Sequence, residues 1–221
     1  MNGDALNDRI TDAFVEWSAP ARIMDKLWAE GWRHFGPLFY RYRTMNSGEE
    51  VKQIQPLRVV LEQFRPTKSQ RRVLRRNADL TWKIQPTIID HELRRLFAAH
   101  KQRFKENVPS SLEDLLGEEP AEVPCENVTL LVRAGERLVA ASFLDLGAKA
   151  ASSVYGMFAP EESRRSLGIC TMLWEMAVAR ERGHRYYYPG YACHESSLYD
   201  YKKQFAGSEW YDWRQWRPLA R

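Results

Sequence analysis

Long apolar runs are missing from this sequence. Nothing in its 221 residues is long and apolar enough to span a bilayer as a helix, and residues 1–14, MNGDALNDRITDAF, are polar and acidic where a signal peptide would be apolar. The expectation is a soluble, cytoplasmic protein. Cysteine is scarce. Cys125, Cys170 and Cys193 are odd in number and show neither a CxxC nor a Cys/His ligand spacing, so neither a disulfide framework nor a metal site is expected. There is no internal repeat and no low-complexity tract. What remains is the composition of a globular chain. Hydrophobic residues make up 44%, enough to bury a core, in one large domain or two small ones.

Acid is absent from one segment in particular. Residues 64–77, FRPTKSQRRVLRRN, carry Arg65, Lys68, Arg71, Arg72, Arg75 and Arg76 with no carboxylate among them. Thr67 and Gln70 sit at the spacing of a capping box, which predicts a helix starting there. The arginines then recur at helical spacings, and such a helix repels itself unless something anionic neutralises it. Guanidinium forks match phosphate geometry, so a nucleic-acid backbone is one solution. A solvated basic face is the other. The chain as a whole has a formal charge of only +4, so the information lies in the concentration of charge in this segment.

Periodicity and turn residues predict helices over residues 4–17 and 22–30, a strand over 38–43, a loop over 44–50, and strands over 56–63 and 80–85. An amphipathic helix is expected over 88–105, then a loop over 107–124 with one helical turn begun by Ser110 or Ser111. Residues 128–133 and 138–146 read as a hairpin around 134–136, followed by a third strand over 151–158. A helix over 166–182 ends at Gly183. A strand begins at 186–188 and is interrupted by Pro189-Gly190; a short helix over 197–205 and a strand over 210–214 close the chain. Aromatic residues crowd the last third, where they read either as packed core or as a groove for stacking a base or an aminoacyl side chain.

Six segments carry a resemblance. The basic run is similar to the F-x-P-S-x-S-Q-R-R-x-x-R-R-N signature of the arginyl-tRNA–protein transferases, a family with bacterial members that transfer leucine. LWAEGWRHFG at 27–36 resembles that family's L-x-x-x-G-W-R-R-x-G segment. SSVY at 152–155, Ser166-Leu167-Gly168, YYYPGY at 186–191 and Tyr201-Lys202 follow in the family's order, over most of residues 24–205. Three strands, a helix entered through a tight loop, then a strand also match the order of the GNAT acyltransferase core. The expected fold is therefore α+β: a GNAT-like core of mixed, mostly antiparallel sheet flanked by helices over residues 81–221, with a smaller N-terminal α/β region over residues 1–80 that carries the basic helix.

The resemblance implies an aminoacyltransferase that moves an amino acid from charged tRNA to an amine: a protein N-terminus, a peptide or a small molecule. It implies aminoacyl-tRNA as co-substrate and no other cofactor; that no metal and no membrane are expected follows from the cysteine spacing and the apolar pattern. The candidates for chemistry are Asp145, to hold or deprotonate the incoming ammonium, Ser152 and Ser153 on the third strand, and Tyr191 and His194 as proton shuttles. Those for tRNA are Arg65, Lys68, Arg71, Arg72, Arg75, Arg76, Arg165, Ser166, Gly168, Tyr201 and Lys202. Two features depart from the family pattern. Residues 40–52 lack its cysteine cluster, and Ala159-Pro160 stands where Asp-Pro is usual. A coenzyme A-dependent acetyltransferase is the alternative. Arg165 and Gly168 half-match its R/Q-x-x-G-x-G/A loop, while Cys170 replaces a small residue that close approach of a pyrophosphate requires. A non-catalytic tRNA-binding relative is a third reading.

Overall fold

The structure is a computed structural model, and it describes residues 12–47, 50–104 and 109–219. The N-terminal part begins with β1 (Asp12–Val15), α1 (Ala21–Ala29), β2 (Arg33–Phe35) and β3 (Leu38–Arg41). These strands form a small sheet in the order β1-β3-β2, and α1 packs Met24 and Trp28 beside Phe39 and Tyr188. The helix expected over 4–17 is corrected where it is described. Residues 12–15 are extended because their main chain pairs with β3, Asp12 opposite Arg41 and Val15 opposite Leu38; residues 4–11 lie outside the described part.

Next come β4 (Thr44–Ser47) and β5 (Glu50–Val60), a hairpin where a loop was expected over 44–50. Its polar side chains concealed a ladder made by the main chain. β5 then runs on into the core with Leu57 and Val59 fully buried. After it come α2 (Lys68–Arg76), β6 (Thr81–Pro86), α3 (His91–Lys101) and the single turn α4 (Glu113–Leu116). The capping box is formed as expected: Gln70 N–H donates to the Thr67 hydroxyl and the Gln70 side chain accepts from Thr67 N–H. α3 starts later than expected because Asp90 caps it by accepting from Leu93 N–H.

The C-terminal part contains β7 (Asn127–Ala134), β8 (Arg137–Leu146), β9 (Ala150–Phe158), a 3-10 turn (Pro160–Arg165), α5 (Leu167–Glu181) and β10 (Tyr186–Cys193). A second 3-10 turn (Asp200–Gln204), β11 (Ser208–Tyr211) and β12 (Trp216–Pro218) complete it. β7 and β8 close on a two-residue turn with Gly135 at φ 58°, a left-handed position that favours glycine. α5 ends at Gly183, φ 78°.

β5 and β6–β12 share one sheet in the order β12-β11-β5-β10-β9-β8-β7-β6. Its neighbours along this order are antiparallel except β9 and β10, which run parallel with α5 as their connection. This is the GNAT-like α+β arrangement. The sequence regions 1–80 and 81–221 are joined within it, since β5 lies between β10 and β11. α2 and α5 cover one face, where Met172, Met176, Tyr187 and Phe205 meet Val59 and Leu146. α3 and α4 cover the other, where Leu93 and Phe97 meet Phe143 and Met157. Pro189-Gly190 bends β10 without ending it. A register irregularity against β5 falls between Tyr187 and Gly190, and pairing resumes through Cys193.

Candidate active site

The parallel pairing of β9 and β10 stops at Ser152 opposite Tyr188. Two irregularities open the sheet there. On β8–β9 the register moves so that Leu144 faces Ser153 and Phe143 faces Tyr155, which leaves Val154 as an extra, bulged residue. On β10, Gly190 adopts φ 95°. Beyond the Ser152–Tyr188 pair the two strands make no further pairing, which leaves a gap flanked by Ser153 and Val154 on β9 and by Gly190 and Tyr191 on β10. Backbone groups facing such a gap are free to bond an oxygen placed in it.

Lys202, on the second 3-10 turn, reaches into this gap. Its Nζ is 3.4 Å from the Tyr191 carbonyl, and a Cβ placed on Gly190 would lie 3.2 Å from it. Removal of the ammonium from water, with the nearby Arg33 charge as a smaller cause, brings its pKa down to about 8. Arg33, on β2, is itself buried at 8% exposure. Its Nη1 donates to the Trp32 carbonyl at 2.8 Å, and its guanidinium lies 5.4 Å from the ring centres of both Tyr188 and Tyr191. Its Nε and Nη2 have no hydrogen-bond partner. Two unmatched donors on a buried cation cost free energy unless an anion completes them. Burial also lowers the Arg33 pKa.

On the opposite face of the sheet, Glu175 of α5 is wholly buried. The Tyr187 hydroxyl donates to its Oε2 at 2.5 Å, and the Ser153 hydroxyl lies 3.4 Å from its Oε1. Desolvation outweighs these bonds and lifts its pKa to about 7. Neither Glu175 nor Arg33 was among the sequence candidates. The signal for Glu175 was an acid at a helix position flanked by Leu173, Trp174 and Met176; for Arg33 it was a lone cation inside an aromatic stretch.

Asp145 lies elsewhere than expected. It is 2% exposed, and both its oxygens are occupied: Oδ2 by His34 Nε2 at 2.8 Å, Oδ1 by Asn127 Nδ2 at 2.7 Å. The other His34 nitrogen faces the Gly36 carbonyl at 3.0 Å. Asp145 thus fastens β2, and with it Arg33, to the main sheet, which corrects its assignment as the group meeting an incoming ammonium. One ligand atom each from His34, Cys125 and Asp145 lies within 4.8 Å of the others, a convergence of distant segments that local spacing does not reveal. Burial pushes the Cys125 thiol well up, so it is present as the thiol.

The remaining candidates divide. Ser152 is buried inside the β8–β9–β10 ladder, one residue short of the gap. The Tyr191 hydroxyl donates its proton to the Gly31 carbonyl, so that proton is held within the protein and is directed toward β2. His194 is exposed beyond the gap, edge-on to Trp210 at 4.7 Å. Tyr201 packs on the α5 side, its pKa raised to about 12 by burial.

The basic helix ends against the entry to α5. Arg76 Nη1 donates to the Arg164 carbonyl at 2.7 Å and Asn77 Nδ2 to the Arg165 carbonyl at 3.0 Å, while Val73 and Leu74 pack by Leu167 and Cys170. Arg65, Lys68, Arg71, Arg72, Arg75 and Arg76 are exposed, and among the described residues none is paired with a carboxylate. Arg65 and Arg71 bond only to nearby carbonyls. Arg165 differs: Asp79 holds both its terminal nitrogens, at 2.8 and 2.9 Å, and Glu162 its Nε at 2.8 Å, so it is an internal clamp. Ser166 is left-handed at φ 58° and makes no side-chain cap, and a Cβ on Gly168 would make an ordinary contact with Phe158 at 3.9 Å. Cys170 is buried in the core and does not obstruct the helix N-terminus, which removes the steric objection raised against it. Ala159 is likewise a core residue, packed with the α3 cluster.

Residues 5–72 and 91–212 match the family descriptions "Arginine-tRNA-protein transferase, N terminus" and "Arginine-tRNA-protein transferase, C terminus". An aspartate/glutamate leucyltransferase from Marinobacter nauticus is 31% identical over 97% of this chain and 91% of its own length. One from Halorhodospira halophila is 31% identical over 85% of this chain and 80% of its own. Among solved structures, the C-terminal domain of an Agrobacterium fabrum protein described as a lysylphosphatidylglycerol synthetase shares the fold. Its TM-score is 0.50 at 19% identity, covering 83% of this chain and 55% of that one. Among the described residues no helix is long and apolar enough to cross a membrane.

Proposed function

Since the chain belongs to the arginine-tRNA-protein transferase family, we propose that it transfers an amino acid from charged tRNA to the N-terminal amine of a polypeptide. The observation that carries this reading is the position of the exposed arginines of α2. They stand free of carboxylates and abut the N-terminus of α5, whose unpaired N–H groups and dipole also favour anions. The acceptor stem lies along Arg71, Arg72, Arg75 and Arg76, with Arg65 and Lys68 at its margin, and the 3′ end turns into the gap between β9 and β10.

There the ester carbonyl meets the backbone of the Val154 bulge, whose N–H stabilises the tetrahedral oxyanion. The ester is already activated, so no covalent intermediate and no further cofactor is called for. An α-amine with a pKa of about 7.7–8.0 keeps a usable neutral fraction near physiological pH, so a weak base suffices and orientation contributes much of the rate. The relatives named aspartate/glutamate leucyltransferase support a finer proposal: the donor is leucyl-tRNA and the acceptor begins with Asp or Glu. Arg33, with two open donors, binds that acceptor carboxylate, and the Lys202 ammonium adds positive charge beside it. A cytoplasmic location goes with this proposal, because its co-substrate is charged tRNA.

The test is incubation of the protein with a pool of charged tRNAs and peptides of defined N-terminus, read by mass spectrometry. Leucine added to Asp- and Glu-initiated peptides is the expected outcome. Extension by a different amino acid revises the donor, and no extension from any charged tRNA overturns the proposal.

A further inference from the structure

Glu175 is a carboxylate sealed in the core without a cation bonded to it, and the reaction described so far does not use it. Its surroundings are built for it. Tyr187 on β10 donates from one side, Ser153 on β9 stands on another, and the Ser142 hydroxyl of β8, which has no other partner, faces it from a third. Of these, Ser153 is the half-buried residue at the gap, immediately past the last β9–β10 pair. The buried acid therefore has one polar connection to the place where the ester and the amine meet. A carboxylate kept in an apolar helix face lowers stability relative to a hydrophobic residue of similar size, so its retention calls for a role beyond packing.

We infer that Glu175 is a positioning and proton-accepting residue that acts on the incoming amine through the Ser153 hydroxyl. The inference rests on the transferase reading of the same gap. As the amine nitrogen bonds to the ester carbonyl carbon, it loses a proton to the Ser153 oxygen while Ser153 passes its own to the Glu175 carboxylate. When the tetrahedral intermediate collapses, the bond from carbon to the tRNA ribose oxygen breaks, and the proton returns by the same route to that oxygen. Protons and electron pairs balance with no other reactant. The 3.4 Å Ser153–Glu175 separation is long for a hydrogen bond, as catalytic contacts without bound substrate often are. The titratable groups around Glu175 are Tyr187, Tyr201, Lys202 and Asp145; Tyr187 and the two serines favour its ionised form and Asp145 opposes it.

The signs are definite. The folded-state pKa of about 7 lies above the ordinary 4.5, so the native state holds the proton more tightly than the unfolded chain, and the stability this contributes is lost as pH rises from about 4.5 through 7. Glu175→Gln cannot ionise and escapes that loss. It should melt higher than the wild type at pH 8 while its kcat falls by about 10²-fold or more and the ascending limb of kcat near pH 7 disappears. Ser153→Ala should lose rate while its melting temperature still falls with rising pH, the fall displaced to higher pH because one donor that favours the carboxylate is gone. Tyr187→Phe removes a donor that favours the carboxylate, so its limb should move to higher pH.

A Glu175→Gln protein within twofold of wild-type kcat with the limb unchanged overturns the inference. So does a Tyr187→Phe limb that stays in place, which also decides the matter should Glu175→Gln fail to fold. A wild-type protein that transfers nothing from any charged tRNA defeats the transferase reading itself and is a separate result.

Discussion

Replacing Arg71, Arg72, Arg75 and Arg76 together by alanine should flatten the dependence of charged-tRNA affinity on salt. Each arginine that neutralises a phosphate contributes about 0.9 to the slope of log K against log salt on a duplex, so the slope should fall by about three to four units. The loss of affinity should exceed tenfold at low salt and shrink as salt rises. The fold should survive, because all four side chains are exposed and α2 is anchored by other groups: Val73, Leu74, Asn77 and the Thr67–Gln70 cap. Filter binding at several salt concentrations, with circular dichroism as a control for folding, measures both. An unchanged slope would remove the phosphate role from this helix and leave its charge as solvated surface.

Replacing Arg33 should alter acceptor choice rather than tRNA binding. Arg33→Gln keeps a polar planar group between Tyr188 and Tyr191 but removes the charge and the fork. Truncating one partner of a buried, hydrogen-bonded charge pair costs about 2–5 kcal/mol, so kcat/KM for an Asp-initiated peptide should fall by about 10²-fold or more. The same peptide beginning with Asn presents no carboxylate, and its kcat/KM should change little. Arg33→Lys restores charge without the bidentate geometry and should recover only part of the loss. The coupling between protein variant and peptide end separates recognition from general damage, which would depress both peptides equally. A wild-type enzyme indifferent to Asp against Asn would dismiss Arg33 as the acceptor site. A drop in tRNA affinity with no change in peptide preference would assign it to the terminal phosphate.

How far these residues were legible follows from the range of the forces that place them. α2 was readable because Thr67 and Gln70 make a cap within four residues of each other, and the β7–β8 turn because Gly135 answers a local steric demand. β1 and β4 were not, because short or polar strands such as residues 12–15 and 44–47 are fixed by main-chain pairing with β3 and β5 and leave little mark on side-chain pattern. Pro189-Gly190 read as an interruption and is a bend within one strand: β5 continues to pair with β10 beyond it, and the bend borders the gap.

The site shows the same division. Ser153 and Lys202 stand out within short motifs and do border the gap. Asp145 stood out for the same reason, yet it is spent on His34, more than a hundred positions away in the chain. Arg33 lay in a quoted motif with no role attached. Its meaning comes from Tyr188 and Tyr191 closing over it and from two nitrogens left without partners, facts that only tertiary packing supplies.

The central claim is spatial: a tRNA acceptor stem rests on α2 and delivers its aminoacyl end between β9 and β10. A charged tRNA whose aminoacyl group carries a photoreactive side chain tests it directly when arginine accessibility is mapped in the same complex. The account predicts crosslinks within residues 153–155 and 190–191, together with protection of Arg71, Arg72, Arg75 and Arg76 from an arginine-selective reagent. Crosslinks confined to another surface, with those arginines as reactive as in the free protein, would contradict it.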